Sequence, residues 1–508
     1  MPINAKLIAK NTLYLYFRLI LILLVTLYMS RVLLDRLGEV DYGLYYVVYG
    51  VIGMVSFLNG TLSTCTSRFI TYALGTGDLN SLKRTFSTSL VAHLFLAGII
   101  LVLGETIGLW YAHHVMVVPP ERWKAAMVVY QISIASAMVS ILHVPFMAAV
   151  IAHEKMNAYA IVGIFEAVAK LAIVFLLTKC AFDRLIFYSF LVLVISLVVF
   201  LAYVVYSKRQ FIEVSFSLSF DRSAFREMMK FSAWNIVTNL SNTLAGQGVI
   251  MLFNLFFAPV VVAAQAIANQ VFTALNQFGW NVRNAVNPQI IKLYADGKQE
   301  ESSRLTYVSA EGILYLTMLF CVPCIMVMPT LLDVWLVDVP EYAVAFSRLL
   351  VLQLIFDNYS ASFYAPMLAA NKVAANSIAA FVLCILQFVA LLLLFKFGLG
   401  PMWARYLGIF TTILFSFVVK PYILCRDVGY QWRTMLLYLW RGIRIMLLVG
   451  GLNAALFLLI PQESLWQSVL VLALSVLIVL GCSYLFMEAS LRQRIGGFIK
   501  NKRLKSYK

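Results

Sequence analysis

The sequence predicts an all-α integral membrane protein of about 14 spanning helices. Three observations carry this. The 508 residues are 62% hydrophobic and only 12% charged, with a mean hydropathy of +0.88. The apolar residues gather into fourteen runs, each long enough to cross hydrocarbon at roughly 1.5 Å per residue. The connections are short, the longest running from Ser207 to Arg226, so no soluble domain fits between spans.

The runs are 11–34, 43–67, 86–109, 125–148, 157–178, 185–206, 230–256, 261–287, 306–328, 342–368, 375–397, 403–424, 442–461 and 465–486. The first is too long for the apolar stretch of a secretory signal and carries Arg18, so it is expected to stay as a span. The basic stretch after the sixth run joins two halves of six helices. The expected organisation is a bundle over 1–206, a linker over 207–229, a second bundle over 230–424, two further helices over 425–486 and a basic tail over 487–508. A faint internal echo supports the halving: "TSRFITYALGTGD" (66–78) and "VNPQIIKLYADGK" (286–298) both leave a span and turn on Gly and Asp.

Loop charge sets the orientation. With the N-terminus cytoplasmic, 25 of the 39 Lys and Arg residues fall on the cytoplasmic side, nine fall outside and five lie within or at the ends of helices. Both termini are therefore expected in the cytoplasm. The seven cysteines are scattered among apolar helices, which is packing usage rather than a disulfide framework. Cys321 and Cys324 flank Pro323 in an apolar run and are read the same way.

The informative charges are those in the wrong solvent. Arg18, Lys170, Glu166 and Asp357 fall inside apolar runs, and Arg68 and Arg283 lie near run ends. A mid-membrane charge costs about 2.5–3.5 kcal/mol on insertion scales, so these groups should face a wet interior. Mostly cationic, that interior suits an anionic substrate. Arg18 and Arg68 are the leading candidates, because a guanidinium fork matches phosphate oxygens in pairs.

Polar residues at helical spacing mark the face turned from lipid. The eighth run carries Gln265, Asn269, Asn276, Arg283 and Asn287 on one stripe. The seventh carries Asn235, Asn239, Asn242 and Gly246, and the tenth carries Gln353, Asp357, Ser360 and Tyr364. Read blandly, a single Asn is interhelical glue at roughly 0.6–2 kcal/mol per hydrogen bond. A stripe running the whole eighth helix reads better as a cavity lining. Glu166 and Lys170 are four residues apart, close enough to neutralise each other. Asp357 has no basic residue one turn away, which makes it, with Glu166, a candidate Na+ or H+ coupling site. Its bland alternative is pairing with a basic residue from another helix. Lys420, at a helix end, is expected to snorkel to the surface.

Chemistry other than transport finds little support. The five histidines show no metal-ligand spacing, and there is no phosphate loop, nucleophile elbow or dinucleotide fingerprint. The chain is not expected to be an enzyme or to hold a cofactor. Membrane lipids are expected partners and nucleic acid is not.

Three segments carry a resemblance. "LLDRLGEVDYGLYYVVYGVIGMVSFLNGTLSTCTSRF" (33–69) resembles the start of bacterial polysaccharide-biosynthesis flippases, which show an LG-x-x-x-YG-x-Y segment between helices one and two; Leu37, Gly38, Tyr42, Gly43 and Tyr45 match it. "LLDVWLVDVPEYA" (331–343) resembles their loop before helix ten, and "NVRNAVNPQIIKLYADGK" (281–298) their exit from helix eight. This is the O-antigen and capsule branch of the multidrug/oligosaccharidyl-lipid/polysaccharide (MOP) exporter superfamily. The resemblance implies two six-helix bundles in a V-shaped arrangement like that of MATE transporters, plus two C-terminal helices. It implies an undecaprenyl-pyrophosphate-linked oligosaccharide carried between leaflets of the bacterial inner membrane, ion-gradient coupling, and other polysaccharide-assembly proteins as partners. The alternative within the superfamily is a drug/cation antiporter, which would need acids in the first bundle where helix one here has Arg18. A membrane glycan polymerase or ligase would need a large outer loop, and the longest here is 110–124. A non-transporting scaffold is the third alternative.

Overall fold

The structure is a computed structural model. It describes residues 5–53, 78–153, 155–177, 182–214, 243–370, 372–460 and 464–487, with parts of 62–74 and 221–241. Among these residues there are helices and no strands.

In chain order the principal helices are α1 Ala5–Gly53, α2 Leu79–Leu103, α3 Leu109–His114, α4 Trp123–Leu142, α5 Val144–Ala152, α6 Met156–Leu176 and α7 Arg184–Gln210. Then come α8 Val249–Phe256, α9 Pro259–Ala295, α10 Gln299–Met326, α11 Met328–Trp335, α12 Ala343–Ala361 and α13 Tyr364–Ala369. The last are α14 Val373–Lys396, α15 Trp403–Leu414, α16 Lys420–Ile423, α17 Trp432–Leu459 and α18 Leu465–Phe486. Nine helical stretches among the described residues are long and apolar enough to cross a membrane. The remaining predicted spans fall on the long α1, on α8 with the partly described residues before it, on α9, and on α12 with α13. The chain is all-α with many membrane-crossing helices, as the composition requires.

Side-chain exposure shows why these helices need lipid. On α14 the large exposed residues are Ile378, Val382, Ile385, Leu386, Val389 and Leu393. Their spacing traces one apolar stripe along the helix, a face that water would not tolerate.

Contacts divide the chain into two compact units. The first comprises Met1–Ile267, Trp335–Ala343 and Ser377–Ala404; the second comprises Ala268–Val334, Val344–Asn376 and Arg405–Lys508. In the first, α4 packs against α1, α2 and α7, and α6 packs against α1 and α7. In the second, α10, α17 and α18 pack on one another.

Two glycines explain the course of α1. Gly38 has φ 77° and breaks the helix between the first two predicted spans. That left-handed conformation favours glycine, because a Cβ there crowds the following carbonyl. At Gly43 a Cβ would sit 2.3 Å from the carbonyl oxygen of Pro259, so the start of α9 can lie directly on the α1 backbone. Both belong to the LG-x-x-x-YG-x-Y segment.

Arg122 ties α1 to the segments before α4 and α7 at one end of the first unit. Its Nε and Nη2 donate to the two Asp41 oxygens at 2.7 Å each, and its Nη1 and Nη2 donate to Asp183 at 2.5 and 3.1 Å. Asp183 also caps α7, accepting from the backbone N–H groups of Leu185 and Ile186. Burial pushes the Asp183 carboxyl up, but Arg122 and those N–H groups outweigh it and hold it below the ordinary carboxylate value. At Asp41 burial is the larger effect and the Arg122 charge does not offset it, so that carboxyl lies above its ordinary value.

Removing Arg122 by alanine leaves two carboxylates facing each other, at an expected cost of about 2–5 kcal/mol in thermal or denaturant unfolding. A carboxylate held below its unfolded pKa stabilises the fold above that pKa and loses this contribution as pH falls through the lower folded value. Asp183 therefore stabilises above about pH 4. Asp41, raised, loses stabilisation as pH climbs and adds nothing at neutrality. Asp183→Asn is expected to lower the melting temperature at pH 7 and to flatten its acid dependence, while Asp41→Asn does neither; melting curves at pH 7 and pH 4 compare them.

Candidate functional site

Most of the predicted polar stripe lies on α9, an unbroken helix of 37 residues. Gln265 is buried at its N-terminal end, within the first unit. Asn269, Asn276 and Arg283 follow in the second unit, all partly exposed. The Asn269 carbonyl accepts from the Thr273 hydroxyl at 2.8 Å, and the buried Oδ1 of Asn276 has no hydrogen-bond partner.

Arg283 is where the stripe meets chemistry. Its Nη1 donates to Oδ1 of Asn358 on α12 at 2.5 Å, and it lies within electrostatic reach of Asp357. Asn358 is fully buried and can approach because residue 279 is glycine; a Cβ there would meet both Asn358 amide atoms at 2.9 Å. Asp357 turns the other way, with 46% of its side chain exposed, and its Oδ1 lies 3.9 Å from Lys420 Nζ. Lys420 donates to Ser360 Oγ at 2.9 Å, and Ser360 donates to Ser416 Oγ at 2.9 Å. The ammonium also sits 4.9 Å from the Phe415 ring centroid. One carboxylate thus stands between two cations, which leaves the cluster cationic and partly open.

Lys420 departs from the expectation drawn from its place at a helix end. Expected to snorkel, it is buried and turned inward. The reason is local: Phe415–Val419 forms a π turn directly before it. A wide turn changes the phase of the helix, so Thr412, Ser416 and Lys420 fall along one side. Thr412 accepts from Gln353, Ser416 accepts from Ser360, and Lys420 reaches Ser360 and Asp357. A lone lysine in the apolar run FSFVVKPY is the signal that pointed to it.

The other candidates are placed as follows. Lys170 and Glu166 on α6 pair at 2.6 Å, each side chain about a third exposed at 31% and 36%. His143 lies within electrostatic reach of Glu166 and stacks on Tyr203 with centroids 5.8 Å apart. Asn239 is half-buried in the first unit, on a partly described helix. Arg68, Asn235 and the side chain of Arg18 lie outside the described residues. Among the described residues no group of three or more His, Cys, Asp or Glu side chains could hold a metal ion.

Gly279→Ala drives a methyl into Asn358 and is expected to cost about 1–3 kcal/mol by overpacking. In a double-mutant cycle of Asp357→Asn with Lys420→Met, the expected coupling is about 0.5–1 kcal/mol, small because Asp357 is half-exposed. Thermal unfolding of the purified variants reads both.

No protein-family model matches the chain, and neither does the sequence of any curated protein. Solved structures do match. A structure described as the lipid II flippase MurJ in an inward closed conformation aligns over 94% of this chain and 98% of its own, with a TM-score of 0.71 and 14% identity. The MATE multidrug transporter DinF-BH aligns over 84% of this chain and 98% of its own, with a TM-score of 0.64 and 14% identity. A MOP superfamily transporter from Pyrococcus furiosus aligns over 83% and 95%, with a TM-score of 0.56 and 13% identity. At these identities the likeness is one of fold, and the chain has the all-helical membrane fold that these flippase and transporter structures share.

Proposed function

We propose that this chain is a MOP-type transporter, not an enzyme, that moves undecaprenyl-pyrophosphate-linked oligosaccharide from the inner to the outer leaflet of the bacterial inner membrane. The observation that carries the reading is the Arg283–Asp357–Lys420 cluster. It sets two cations against one carboxylate in helices otherwise built for lipid. Such an arrangement is expensive unless something anionic uses it. A diphosphate fits: its charge complements the surplus cation, and Arg283 offers a fork to its oxygens. The fold agrees, since the MurJ structure, aligned over 94% of the chain, is described as a lipid II flippase.

In this reading the isoprenoid tail stays in hydrocarbon while sugar and pyrophosphate cross through a wet interior. Arg18 and Arg68 add to the cationic lining. Asn235, Asn239, Gln265, Asn269 and Asn276 offer donors and acceptors to sugar hydroxyls. Rocking of residues 1–206 against 230–424 alternates access, with both termini cytoplasmic. Asp357, half-exposed beside two cations, and Glu166 are the sites for Na+ or H+ coupling. The O-antigen and capsule branch supplies the glycan class. A second reading, a drug/cation antiporter, draws on the same exposed Asp357 and on the fold shared with DinF-BH. The lysine and arginine around that carboxylate count against a cationic cargo.

The test is glycan display in cells. Arg283→Gln, and separately Arg18→Ala with Arg68→Ala, are expected to cut surface glycan about tenfold or more, the effect of losing about 1.4 kcal/mol at the rate-limiting state. Lipid-linked oligosaccharide accumulates on the cytoplasmic side while protein level is unchanged. Normal display at normal protein level ends the reading. Loss of cationic-dye efflux with display intact favours the antiporter.

A further inference from the structure

The second unit holds a large apolar pocket among α10, α12, α15 and α17, with a volume of about 990 Å³. α12 and α15 run in parallel there: Phe346, Gln353 and Ser360 of α12 meet Arg405 and Thr412 of α15 and Ser416 of the turn after it, in that order. α10 and α12 each line the pocket with residues at i, i+4, i+7 and i+8, from Met318 to Met326 and from Arg348 to Phe356, one face apiece. Along α17 the lining runs from Ile443 to Leu458, about 22 Å at 1.5 Å per residue. That is long enough for an acyl chain, which occupies about half of a 30 Å hydrocarbon core.

The pocket opens toward lipid, since Leu447, Phe457 and Leu458 on its α17 wall are exposed. Phe356 and Phe417 stand at its inner end, with ring centroids 6.2 Å apart. Gly450 and Gly451 leave the α17 wall bare. A Cβ at either would meet no atom within 4 Å, so a side chain added there takes space that the pocket now keeps.

The opposite end is charged. Arg348 is the single charged residue in the described lining. Its guanidinium lies 5.5 Å from the ring centroid of Phe457, itself a wall residue, so the charged group stands at the pocket wall. Nε donates to the Ile325 carbonyl at 3.0 Å and Nη2 to the Met326 carbonyl at 3.5 Å. Those bonds engage two of its five N–H groups. No carboxylate among the described residues pairs with it or acts on it. Asp333, on α11, is exposed and forms no ion pair, while Asp338 and Glu341 act on Glu39 in the first unit. Arg405, buried against Phe346, has no carboxylate acting on it either. Among the described residues this end of α12 and α15 therefore carries two cations and no paired acid.

The depth suits a headgroup. Tyr406 and Trp466 are exposed at the starts of α15 and α18, the aromatic signature of a membrane boundary. Arg348 lies five residues into α12, about 7 Å from its start, where a long side chain reaches headgroup level. An occupant must be apolar over most of its length and anionic at one end.

We propose that this pocket holds a membrane phospholipid with an anionic headgroup, its phosphodiester on the remaining N–H groups of Arg348 and an acyl chain along Gly450 and Gly451. None of the lining residues belongs to the Arg283–Asp357–Lys420 cluster, and the site stands whatever cargo the protein carries.

The test places the full chain in nanodiscs of equal phosphatidylglycerol and phosphatidylcholine and reads retained lipid by native mass spectrometry. Wild type is expected to retain phospholipid with phosphatidylglycerol favoured about fivefold, the ratio that one arginine near an anionic headgroup supports. Arg348→Gln is expected to keep lipid and lose the preference. Arg348→Lys keeps the charge beside the end of α10 and is expected to hold most of the preference. Gly451→Leu fills the slot with the arginine in place and is expected to lose retained lipid of both kinds. Arg433→Gln, on the exposed start of α17 outside the lining, is expected to behave as wild type. Equal retention of the two lipids by wild type overturns the anionic headgroup. Wild-type retention in Gly451→Leu overturns the pocket as the place. A lipid-linked oligosaccharide in place of phospholipid, in protein taken directly from cells, overturns the occupant in favour of the cargo's own tail.

Discussion

The constraint on which this structure depends is that a charge inside hydrocarbon must find a partner within the protein. Lipid offers none, and an unpaired ion at mid-membrane costs several times what a typical hydrogen bond returns. Several of the described interior charges obey this, in different ways. Lys170 takes Glu166 from its own helix. Arg283 takes the amide oxygen of Asn358, and Arg441 takes Glu311 and a backbone carbonyl. Arg348 donates to the carbonyl of Ile325 at 3.0 Å and lies over Phe457. Each solution fixes which faces of two helices meet. Ionic groups are few in this chain, so each one that is kept constrains packing that leucine and valine alone would leave degenerate.

Much of this was legible from the residues. Span lengths follow from bilayer thickness, and Gly38 falls in the short interval between the first two apolar runs. The stripe on α9 singled out Arg283, which bonds across to the buried Asn358. Pairing across helices was not legible, because it depends on which helices become neighbours. Asp357 showed no base within a turn, and its partner arrives from a distant run. Lys420 shows the stronger failure: its place at a helix end suggested snorkelling, but the ammonium donates to Ser360 and reaches Asp357, residues of a helix that only the fold brings beside it.

The amides divide between two uses that composition cannot separate. Asn254 is fully buried and closes a two-way bond with the backbone of Val117, accepting at 3.0 Å and donating at 2.8 Å. That is glue, pinning the loop before α4. Asn358 is equally buried, but its oxygen is committed to a cation that in turn approaches Asp357. The same side chain serves packing in one place and aims a guanidinium in the other. What differs is the neighbour, and the neighbour is set by small residues such as Gly279 that allow the approach.

The cationic cluster has a logic that bears on the proposed transport. Asp357 is shared between Arg283 and Lys420, and only Asp357 of the three is half-exposed. An anionic headgroup arriving there competes with that carboxylate for the same two cations. If a proton or Na+ takes the carboxylate, the competition is lifted and the cations turn to the headgroup. Ion and anionic substrate then favour each other's binding without touching. In the proposed transport that linkage is reciprocal, so a bound headgroup would also strengthen ion binding at Asp357.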